Sequence, residues 1–324
     1  MIRVALDLLG GDAAPEAAIA GARDALAKWS DDIFLVLVGP EDVMDRARER
    51  LPRDRIGGLV AEGRIDPAES PALAVRRKPD STVVRGLEAV RDGQADAFVS
   101  AGSTGATLVA SVLTLGLLPG VDRPPVGALF PTATGRVLVL DVGANVDARP
   151  HQLHQFAHLG SIYVRHALSV RHPRVGLLNM GEEAARGGGV VTSAHALLAE
   201  DPDLEFTGNL EGHHIVTGAC DVLVCEGFVG NVLLKFYESI AEFVLQVFRN
   251  AGVGAGGELG EALRFLDYTE YGGAPLLGVD GVTVICHGAS PARAIMNGIR
   301  TAADGVASGF TEEIRSVLTG ESRT

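Results

Sequence analysis

The chain has 324 residues, of which 47% are hydrophobic, and a formal net charge of −13. This length and apolar content suffice for one large α/β domain, or for two lobes that share a sheet. The acidic balance argues against general nucleic-acid binding and against broad attraction to anionic lipid. No apolar run reaches the roughly 18 residues that span a bilayer, and three cysteines without metal-ligand spacing favour a reducing cytoplasm.

Apolar β-type runs alternate with helical patterns along the chain. We predict strands near residues 2–7, 33–38, 96–100, 126–130, 136–141, 174–178, 204–207, 221–225 and 282–286. We predict helices over residues 15–29, 41–51, 82–92, 105–115, 151–168, 190–199, 232–250 and 291–307. This alternation predicts an α/β fold, with a mostly parallel sheet covered by helices on both faces. With no linker to divide it, the chain is predicted to be a single domain over 1–324.

Five glycine-bearing turns each follow a predicted strand. They span residues 100–106, 141–145, 179–183, 225–231 and 286–290. The carboxyl ends of parallel strands form the ligand crevice of such sheets. Small residues there let backbone amides approach a ligand, and a following helix N-terminus favours an anion. We therefore predict a site for a charged, phosphate-bearing ligand.

The turn at 100–106 suits an anion because Ser100, Ser103 and Thr104 add hydroxyls to N–H groups at a helix start. It is not a Walker A loop, since no Gly-Lys-Ser/Thr follows, and no Gly-x-Gly-x-x-Gly turn with a downstream acid supports a dinucleotide site.

His287, after the last predicted strand, is interpreted as an acid, a base or an oxyanion donor, or as a structural histidine.

Asn231 and Lys235 lie four residues apart and share one face of a predicted helix. The chain has only three lysines, so a lysine here suggests a compact charge for phosphate, the alternative being an ordinary surface lysine. Cys225 is predicted to be a buried, inert thiol.

Three histidines, His151, His154 and His158, share a helical face. No carboxylate or cysteine joins them locally, so we predict no metal there.

A helix hairpin is predicted over about 231–267. Apolar residues recur at helical spacing up to residue 250, glycines follow, and a second short helical pattern covers 258–266. The wide apolar face needs a cover: a symmetric partner subunit, a membrane surface or an acyl chain.

A set of short motifs occurs in a fixed order along the chain. They cover residues 7–12 with Pro15, 100–106, Arg123-Pro124, 140–145, 175–183, 206–212, 221–235, 268–278 and 287–290. In this order, the motifs resemble those of the bacterial phosphate acyltransferase family of phospholipid synthesis. Four features depart from the family pattern. Leu8 and Leu9 replace Ala-Met in the first turn, Ser103 replaces Asn, Arg186 replaces Lys, and the hairpin is short and poor in lysine.

The resemblance implies a three-layer α/β/α fold, like phosphotransacetylases and isopropylmalate dehydrogenases, with no metal or other cofactor. It implies a homodimer that transfers a fatty acyl group from acyl carrier protein to inorganic phosphate. The product is an acyl phosphate for phosphatidic acid synthesis. Family proteins also work at the inner face of the plasma membrane beside a glycerol-3-phosphate acyltransferase, an expectation that the altered hairpin leaves open.

On this interpretation we expect the catalytic residues to be Asn231, Lys235, Arg186 and His287, with Asn231 stabilising the oxyanion. The expected substrate-binding residues are Gly11, Asp12, Ser100, Gly102, Ser103, Thr104, Gly105, Asp141, Asn145, Gly181, Glu183, Gly227, Gly230, Gly273 and Ser290. Arg76, Arg77 and Lys78 form the expected docking patch for the acidic carrier protein. The alternatives are a coenzyme A-dependent phosphotransacetylase, a dehydrogenase of the isopropylmalate type, and a non-catalytic sensor of acyl carrier protein or lipid.

Overall fold

A computed structural model describes residues 1–29, 31–251 and 267–319. The chain forms two compact units, Met1–Gly120 with Tyr271–Thr324, and Val121–Glu270. Each unit has its own sheet. The assignment of one domain to residues 1–324 stays a prediction.

In chain order, the strands of the two sheets are β1 (Ile2–Asp7), β2 (Ile33–Gly39), β3 (Ile56–Val60), β4 (Ala97–Ser100), β5 (Gly127–Thr132), β6 (Gly135–Leu140), β7 (Arg174–Leu178), β8 (Glu205–Leu210), β9 (Val222–Val224), β10 (Ala274–Leu276) and β11 (Val282–Ile285). The described strands of the first unit are ordered β10-β11-β4-β1-β2-β3, and those of the second β5-β6-β9-β7-β8. Among the described strands, only β10 and β5 pair antiparallel with their neighbours, so both sheets are mostly parallel.

The helices connect the strands in the pattern typical of βαβ units. They are α1 (Glu16–Lys28), α2 (Glu41–Arg48), α3 (Pro71–Arg77), α4 (Thr82–Arg91), α5 (Thr104–Thr114), α6 (Pro150–Ala167), α7 (Gly189–Glu200), α8 (His214–Thr217), α9 (Gly227–Asn250), α10 (Ala292–Ser308) and α11 (Phe310–Thr319). Short 3-10 turns cover Arg53–Arg55 and Tyr268–Tyr271. No helix among the described residues is long and apolar enough to cross a membrane.

The predicted strands and helices are all present, with small shifts at their ends. The sequence missed β3 and β10, because β3 contains two adjacent glycines and β10 has only three residues. It also missed the short α3 and α8, and α11 at the end of the described chain. The largest shift is in α9, which begins at Gly227, so Asn231 lies inside the helix and not at its start. The second arm of the predicted hairpin lies outside the described residues.

Local sequence explains several helix ends. Ser81 precedes α4, and its Oγ accepts a hydrogen bond from the Val84 N–H at 3.4 Å, while Pro150 occupies the first turn of α6. Serine at the N-cap and proline in the first turn both suit the unpaired N–H groups there. At the C-terminal end of α10, Gly309 adopts φ +70°, the left-handed conformation that commonly ends a helix.

The central strands of each sheet are buried on both faces. Val4 pairs with Leu35 of β2 and with Ala97 of β4, and all three are fully buried. In the second unit Val222 pairs with Leu138 and with Val175 in the same way. Continuous apolar runs of this kind are what a parallel sheet between two helical layers requires. The first unit places α1 and α10 in contact with each other and α4 against β1, and the second places α6 against β9 and α7.

An arginine and an aspartate join two strands at the amino-terminal edge of each sheet. Arg3 of β1 donates its main-chain N–H to Asp96 Oδ2 at 2.8 Å and its Nη2 to Oδ1 at 2.6 Å. Arg174 of β7 does the same with Asp221, at 2.8 Å and 3.0 Å. Two-point contacts of this type fix both the position and the direction of the guanidinium group. Each pair therefore holds the register of two parallel strands.

Candidate active site

The predicted glycine turns lie at the carboxyl-terminal edges of the two sheets. In the first unit, the turns after β1, β4 and β11 are neighbours because these strands are adjacent. In the second unit, the turns after β6, β9 and β7 are neighbours for the same reason. Within each unit, the glycine turns therefore lie side by side at one edge of the sheet.

Asp7 links the first two turns of the first unit. Its Oδ1 accepts hydrogen bonds from the Leu9 and Gly10 N–H groups at 2.9 and 3.0 Å, and its Oδ2 accepts the Ser100 hydroxyl at 2.7 Å. Ser100 Oγ in turn accepts the Gly102 N–H at 2.9 Å. Burial raises the pKa of Asp7, and these donors oppose the rise. Asp7 and Ser100 therefore shape the turns from inside.

The third turn of this unit is held by main-chain contacts. The Asp12 N–H donates to the Gly288 carbonyl oxygen at 2.7 Å. Gly11 has φ +99°, where a side chain is strained, and a Cβ there would lie 3.1 Å from the same oxygen. Gly11 is therefore required for the close approach of the two turns, while the Asp12 side chain is exposed.

His287 is exposed at this edge, and its ring orientation is defined. Its Nδ1 accepts the Ala289 N–H at 3.1 Å, and the Ser290 N–H donates to its carbonyl oxygen at 2.9 Å. With Nδ1 as acceptor, the neutral ring carries its proton on Nε2. This tautomer makes His287 a hydrogen-bond donor, as an oxyanion or phosphate partner requires.

The α5 N-terminus completes the cluster. Ser103 caps the helix by accepting the Ala106 N–H at 3.4 Å, and Thr104 is exposed in its first turn. A Cβ at Gly105 would lie 2.9 Å from Pro71 Cγ, so α3 approaches α5 closely.

The predicted docking patch begins on α3. Arg76 and Arg77 are exposed, whereas Lys78 Nζ donates to Glu69 Oε1 at 2.5 Å and to the Arg64 carbonyl oxygen at 3.0 Å. The sequence interpretation missed Arg64, whose Nη2 donates to the Gly11 carbonyl oxygen at 3.2 Å. No motif marks Arg64; only the fold brings it to the turn.

Asp141 organises the turns of the second unit. Its Oδ1 accepts the Val126 and Ala144 N–H groups at 2.9 and 3.1 Å. Its Oδ2 accepts the main-chain N–H and the side-chain amide of Asn145 at 2.5 and 3.0 Å. Burial raises the pKa of Asp141, and these hydrogen bonds oppose the rise. Asp141 and Asn145 are buried, so they position the turn.

The start of α9 packs directly on this turn. The Gly227 N–H donates to the Asn145 carbonyl oxygen at 2.8 Å, and any Cβ at Gly230 would clash with the Asp141 carbonyl oxygen. This contact places Asn231 beside Gly143. The distance is short, since a Cβ at Gly143 would lie 3.5 Å from Asn231 Oδ1. The exposed Asn231 amide is thus held next to the glycine turn.

Lys235 follows Asn231 one helical turn later. Its Nζ donates to Glu238 Oε2 at 3.1 Å, and 47% of its side chain is exposed. The ammonium group therefore already has an acidic partner on the same helix.

The loop after β7 carries Arg186. Asn179 Nδ2 donates to the Arg186 carbonyl oxygen at 2.9 Å, and Asn209 Nδ2 donates to the Glu183 carbonyl oxygen at 2.8 Å. The Arg186 guanidinium is exposed, with Nε 3.9 Å from Glu183 Oε2. His195 Nδ1 lies 3.0 Å from Asn209 Oδ1. The sequence interpretation gave Asn179, Asn209 and His195 no role, although both asparagines lie in the family motifs.

A cavity of about 290 Å³ lies in the second unit beside these turns. It is lined by Leu153, Leu177, Leu178, Gly188, Gly189, Val190, Val191, Cys225, Glu226 and Val229. Cys225 is buried, as predicted, and burial raises the pKa of its thiol. The walls are therefore mainly apolar, and the thiol is a poor nucleophile.

Gly273 does not join the turns. A Cβ there would lie 2.7 Å from Val284 Cγ1 and 3.1 Å from Cys286 Sγ, so Gly273 allows close packing behind β11. Gly181 lies in the β7 loop, where a Cβ would lie 2.8 Å from Glu183 Oε2.

Solved structures share this fold. EutD phosphotransacetylase from Staphylococcus aureus has a TM-score of 0.62 at 18% identity, covering 94% of each chain. The branched-chain phosphotransacylase from Enterococcus faecalis has a TM-score of 0.63 at 16% identity, covering 95% of this chain and 100% of that chain. The fold is therefore that of the phosphotransacetylases, which confirms the predicted α/β class.

The sequence comparisons define the family. The family model described as "Fatty acid synthesis protein" matches residues 2–313. The phosphate acyltransferase of Heliobacterium modesticaldum is 44% identical over 333 residues, covering 99% of this chain and 98% of that protein. That of Thermosynechococcus vestitus is 44% identical over 326 residues, covering 97% and 94%. The chain belongs to the fatty acid synthesis protein family, together with these phosphate acyltransferases, and the resemblance predicted from its motifs is confirmed.

Proposed function

We propose that this chain transfers a fatty acyl group from acyl carrier protein to inorganic phosphate, giving acyl phosphate for phospholipid synthesis. The observation that carries the proposal is the segment 225–231. Cys225, Glu226 and Val229 line the apolar cavity, and Asn231 presents its amide beside the 141–145 turn. One short segment thus offers both an apolar wall and a polar donor. The name and near-complete coverage of the curated relatives support the same activity.

The reaction needs positioning more than acid–base chemistry. A phosphate oxygen attacks the thioester carbonyl carbon, the C–S bond breaks, and the electron pair leaves on the carrier-protein thiolate. Phosphate is already anionic near neutral pH, and a thiol pKa of about 8.5 makes the thiolate a good leaving group. The protein contributes by holding phosphate near the carbonyl and by stabilising the tetrahedral oxyanion.

In this proposal the Asn231 amide donates to the oxyanion, because it is exposed and held against the turn. Arg186 or Lys235 contributes positive charge to phosphate binding. In the first unit, Ser103, Thr104 and the α5 N-terminus bind a phosphate-bearing group, with His287 Nε2 as a further donor.

The acyl chain is proposed to enter the cavity of the second unit. A cavity of about 290 Å³ is near the lower end of the range for small-molecule sites. Val191→Phe would fill it and should raise the Michaelis constant for long-chain acyl carrier protein. Leu197→Phe, at an exposed position of the same helix, is the control. Equal effects of the two changes would remove the cavity from the proposal.

Carrier protein is proposed to dock at Arg76 and Arg77, since a small acidic partner is steered by exposed positive charge. Replacing both with Gln should raise the Michaelis constant for acyl carrier protein and flatten its salt dependence. The control is Arg91→Gln, because Arg91 is an exposed arginine that pairs with Asp92. An unchanged Michaelis constant would exclude this patch.

The exposed face of α9 is proposed to be the homodimer contact. Its apolar residues recur at helical spacing and are 42–64% exposed: Phe228, Val232, Phe236, Ile240, Phe243 and Val247. A face of this kind on a soluble surface usually marks an interaction site. Replacing Phe236 and Phe243 with Ser should give a monomer in light scattering. A dimer that persists, with loss of binding to anionic vesicles, would assign the face to peripheral membrane contact instead.

The activity is tested by incubating the protein with palmitoyl-acyl carrier protein and phosphate, with metals chelated, and trapping acyl phosphate as hydroxamate. We expect product that depends on both substrates. Product from palmitoyl-coenzyme A and phosphate, but not from palmitoyl-acyl carrier protein and phosphate, would indicate a phosphotransacetylase. Carrier-protein binding without product would indicate a non-catalytic sensor.

A further inference from the structure

Two histidines of α6 and one aspartate after α7 form a compact cluster. His154 Nε2 lies 2.6 Å from Asp201 Oδ2, and His158 Nε2 lies 2.8 Å from the same oxygen. The two imidazole rings meet edge to face, with centroids 5.0 Å apart. All three potential ligand atoms lie within 4.8 Å of one another.

The sequence prediction of no metal rested on the lack of a nearby carboxylate. That premise concerned residues close in sequence. In the fold, α7 packs against α6 and its C-terminal end brings Asp201 to the histidines. Asp201 is 43 residues beyond His158 in sequence, so spacing alone could not reveal it.

We propose that His154, His158 and Asp201 bind one divalent transition-metal ion, zinc being the best match. Two imidazoles and one carboxylate are a common ligand set for zinc with one open position. The spacing of the histidines, four residues apart on a helix, places both rings on one face. The ion would link α6 to α7 and keep its fourth position for water, and the proposal does not depend on the proposed acyl transfer.

To take an ion, the ligand atoms must move from hydrogen-bond distances to coordination distances. With metal–ligand bonds of about 2.0–2.1 Å, tetrahedral ligand atoms lie about 3.4 Å apart, against the 2.6 and 2.8 Å of the present hydrogen bonds. To bind the ion, each neutral imidazole would carry its single proton on Nδ1, so that the Nε2 lone pair faces the ion in place of the N–H that now points at Asp201. The side chains are 27%, 18% and 13% exposed, so the cluster is confined but can be reached from solvent.

The carboxylate is already oriented for this role. Asp201 Oδ1 accepts the Asp203 N–H at 2.9 Å, which leaves Oδ2 directed at the imidazoles. Outer hydrogen bonds of this type fix a ligand before the ion binds and tune its affinity.

His151 supplies a matched control on the same helix. Its Nε2 also lies close to an aspartate, Asp122 Oδ2, at 3.0 Å. The second hydrogen bond to Asp122 Oδ2 comes from the Gln152 side-chain amide and not from a second imidazole. His151 therefore has a similar ion pair without the three-ligand set.

The test uses tag-free, full-length protein stripped of metal by a chelator and titrated with zinc against a fluorescent competitor. We expect one equivalent to bind and to raise the melting temperature. His154→Ala and Asp201→Asn should each weaken binding at least about tenfold, whereas His151→Ala should not.

Melting curves of the stripped variants show whether each one folds, and His158→Gln provides a milder second variant. The proposal is overturned if zinc fails to bind at one equivalent. Binding that survives His154→Ala and Asp201→Asn, or that is lost equally in His151→Ala, overturns it as well. In that case the cluster is only a pair of hydrogen bonds between two helices.

Discussion

Arg3 and Asp96 in the first unit meet with nearly the same geometry as Arg174 and Asp221 in the second. In both pairs a main-chain N–H lies 2.8 Å from a carboxylate oxygen, and the guanidinium contacts the same carboxylate. Both pairs join neighbouring parallel strands at the amino-terminal edge of a sheet. The two units differ in their turns but share this pair. We infer that its role is common to both units, namely the alignment of neighbouring strands.

The carboxyl-terminal edges begin alike and then diverge. Asp7 and Asp141 are both buried at strand ends, and both accept main-chain N–H groups of the following turn. The exposed groups around them differ. The first unit presents the His287 imidazole, and the second presents the Asn231 amide and the Arg186 guanidinium. The difference teaches that the buried aspartates build the edges, and we propose that the exposed groups determine what each edge binds.

The largest expected effect is on turnover when Asn231 is changed. Asn231→Ala removes the proposed oxyanion donor and should lower kcat by about 10²–10³-fold, with little change in melting temperature. Steady-state kinetics with acyl carrier protein as donor would measure it. Asn250, an exposed asparagine of the same helix, provides the control in Asn250→Ala. A decrease of only a few-fold would remove Asn231 from the chemistry.

The second effect separates the two buried aspartates. Both carboxylate oxygens of Asp141 accept hydrogen bonds from amide groups. In Asp141→Asn, one of these oxygens becomes an NH₂ group that faces N–H donors. The change should therefore lower the unfolding free energy by about 3 kcal/mol. Asp7→Asn should cost about 1 kcal/mol, since the Ser100 hydroxyl can rotate to accept from the new amide. Urea unfolding of the two variants measures both. Equal losses would contradict this distinction between the two edges.

A third prediction concerns the cation that binds phosphate. Arg186→Gln should raise the Michaelis constant for phosphate by about tenfold, because a charge-assisted contact is lost. Lys235→Gln should have a smaller effect, since its ammonium group is paired with Glu238. Initial rates at varied phosphate decide between them, and the reverse order would make Lys235 the phosphate ligand.

The smallest effects are expected at the amino-terminal edges. Asp96→Asn should cost about 1 kcal/mol of stability and leave kcat unchanged, because the pair is partly exposed. Although burial opposes its charge, Arg3 holds the pKa of Asp96 below its usual range. This contribution is therefore present above the unfolded value of about 3.9 and is lost as the pH falls through the lower folded value. The difference in unfolding free energy between wild type and Asp96→Asn should narrow as the pH falls from 6 to 3; a constant difference would contradict the assignment.

Sequence patterns predicted most of the fold because buried parallel strands are continuous apolar runs and glycines follow them. They could not predict β3, whose Gly57 and Gly58 obscure the strand pattern. Motifs also located the turns, including Asp141, Asn145 and Asn231. Arg64 and Asp201 were missed, because each acts through a contact with a residue distant in sequence, Gly11 and His158 respectively. Such contacts follow from how helices and strands pack, and local spacing does not record them.

The central claim of the proposed function is that phosphate attacks the thioester directly, without a nucleophile from the protein. The buried cysteines fit this claim, since burial raises the pKa of Cys220 and Cys286 to about 12. The most direct measurement is an intact-mass spectrum of the protein after incubation with palmitoyl-acyl carrier protein in phosphate-free buffer. We predict no acyl adduct and no release of carrier-protein thiol until phosphate is added. A protein mass increased by one palmitoyl group, discharged on adding phosphate, would contradict the account.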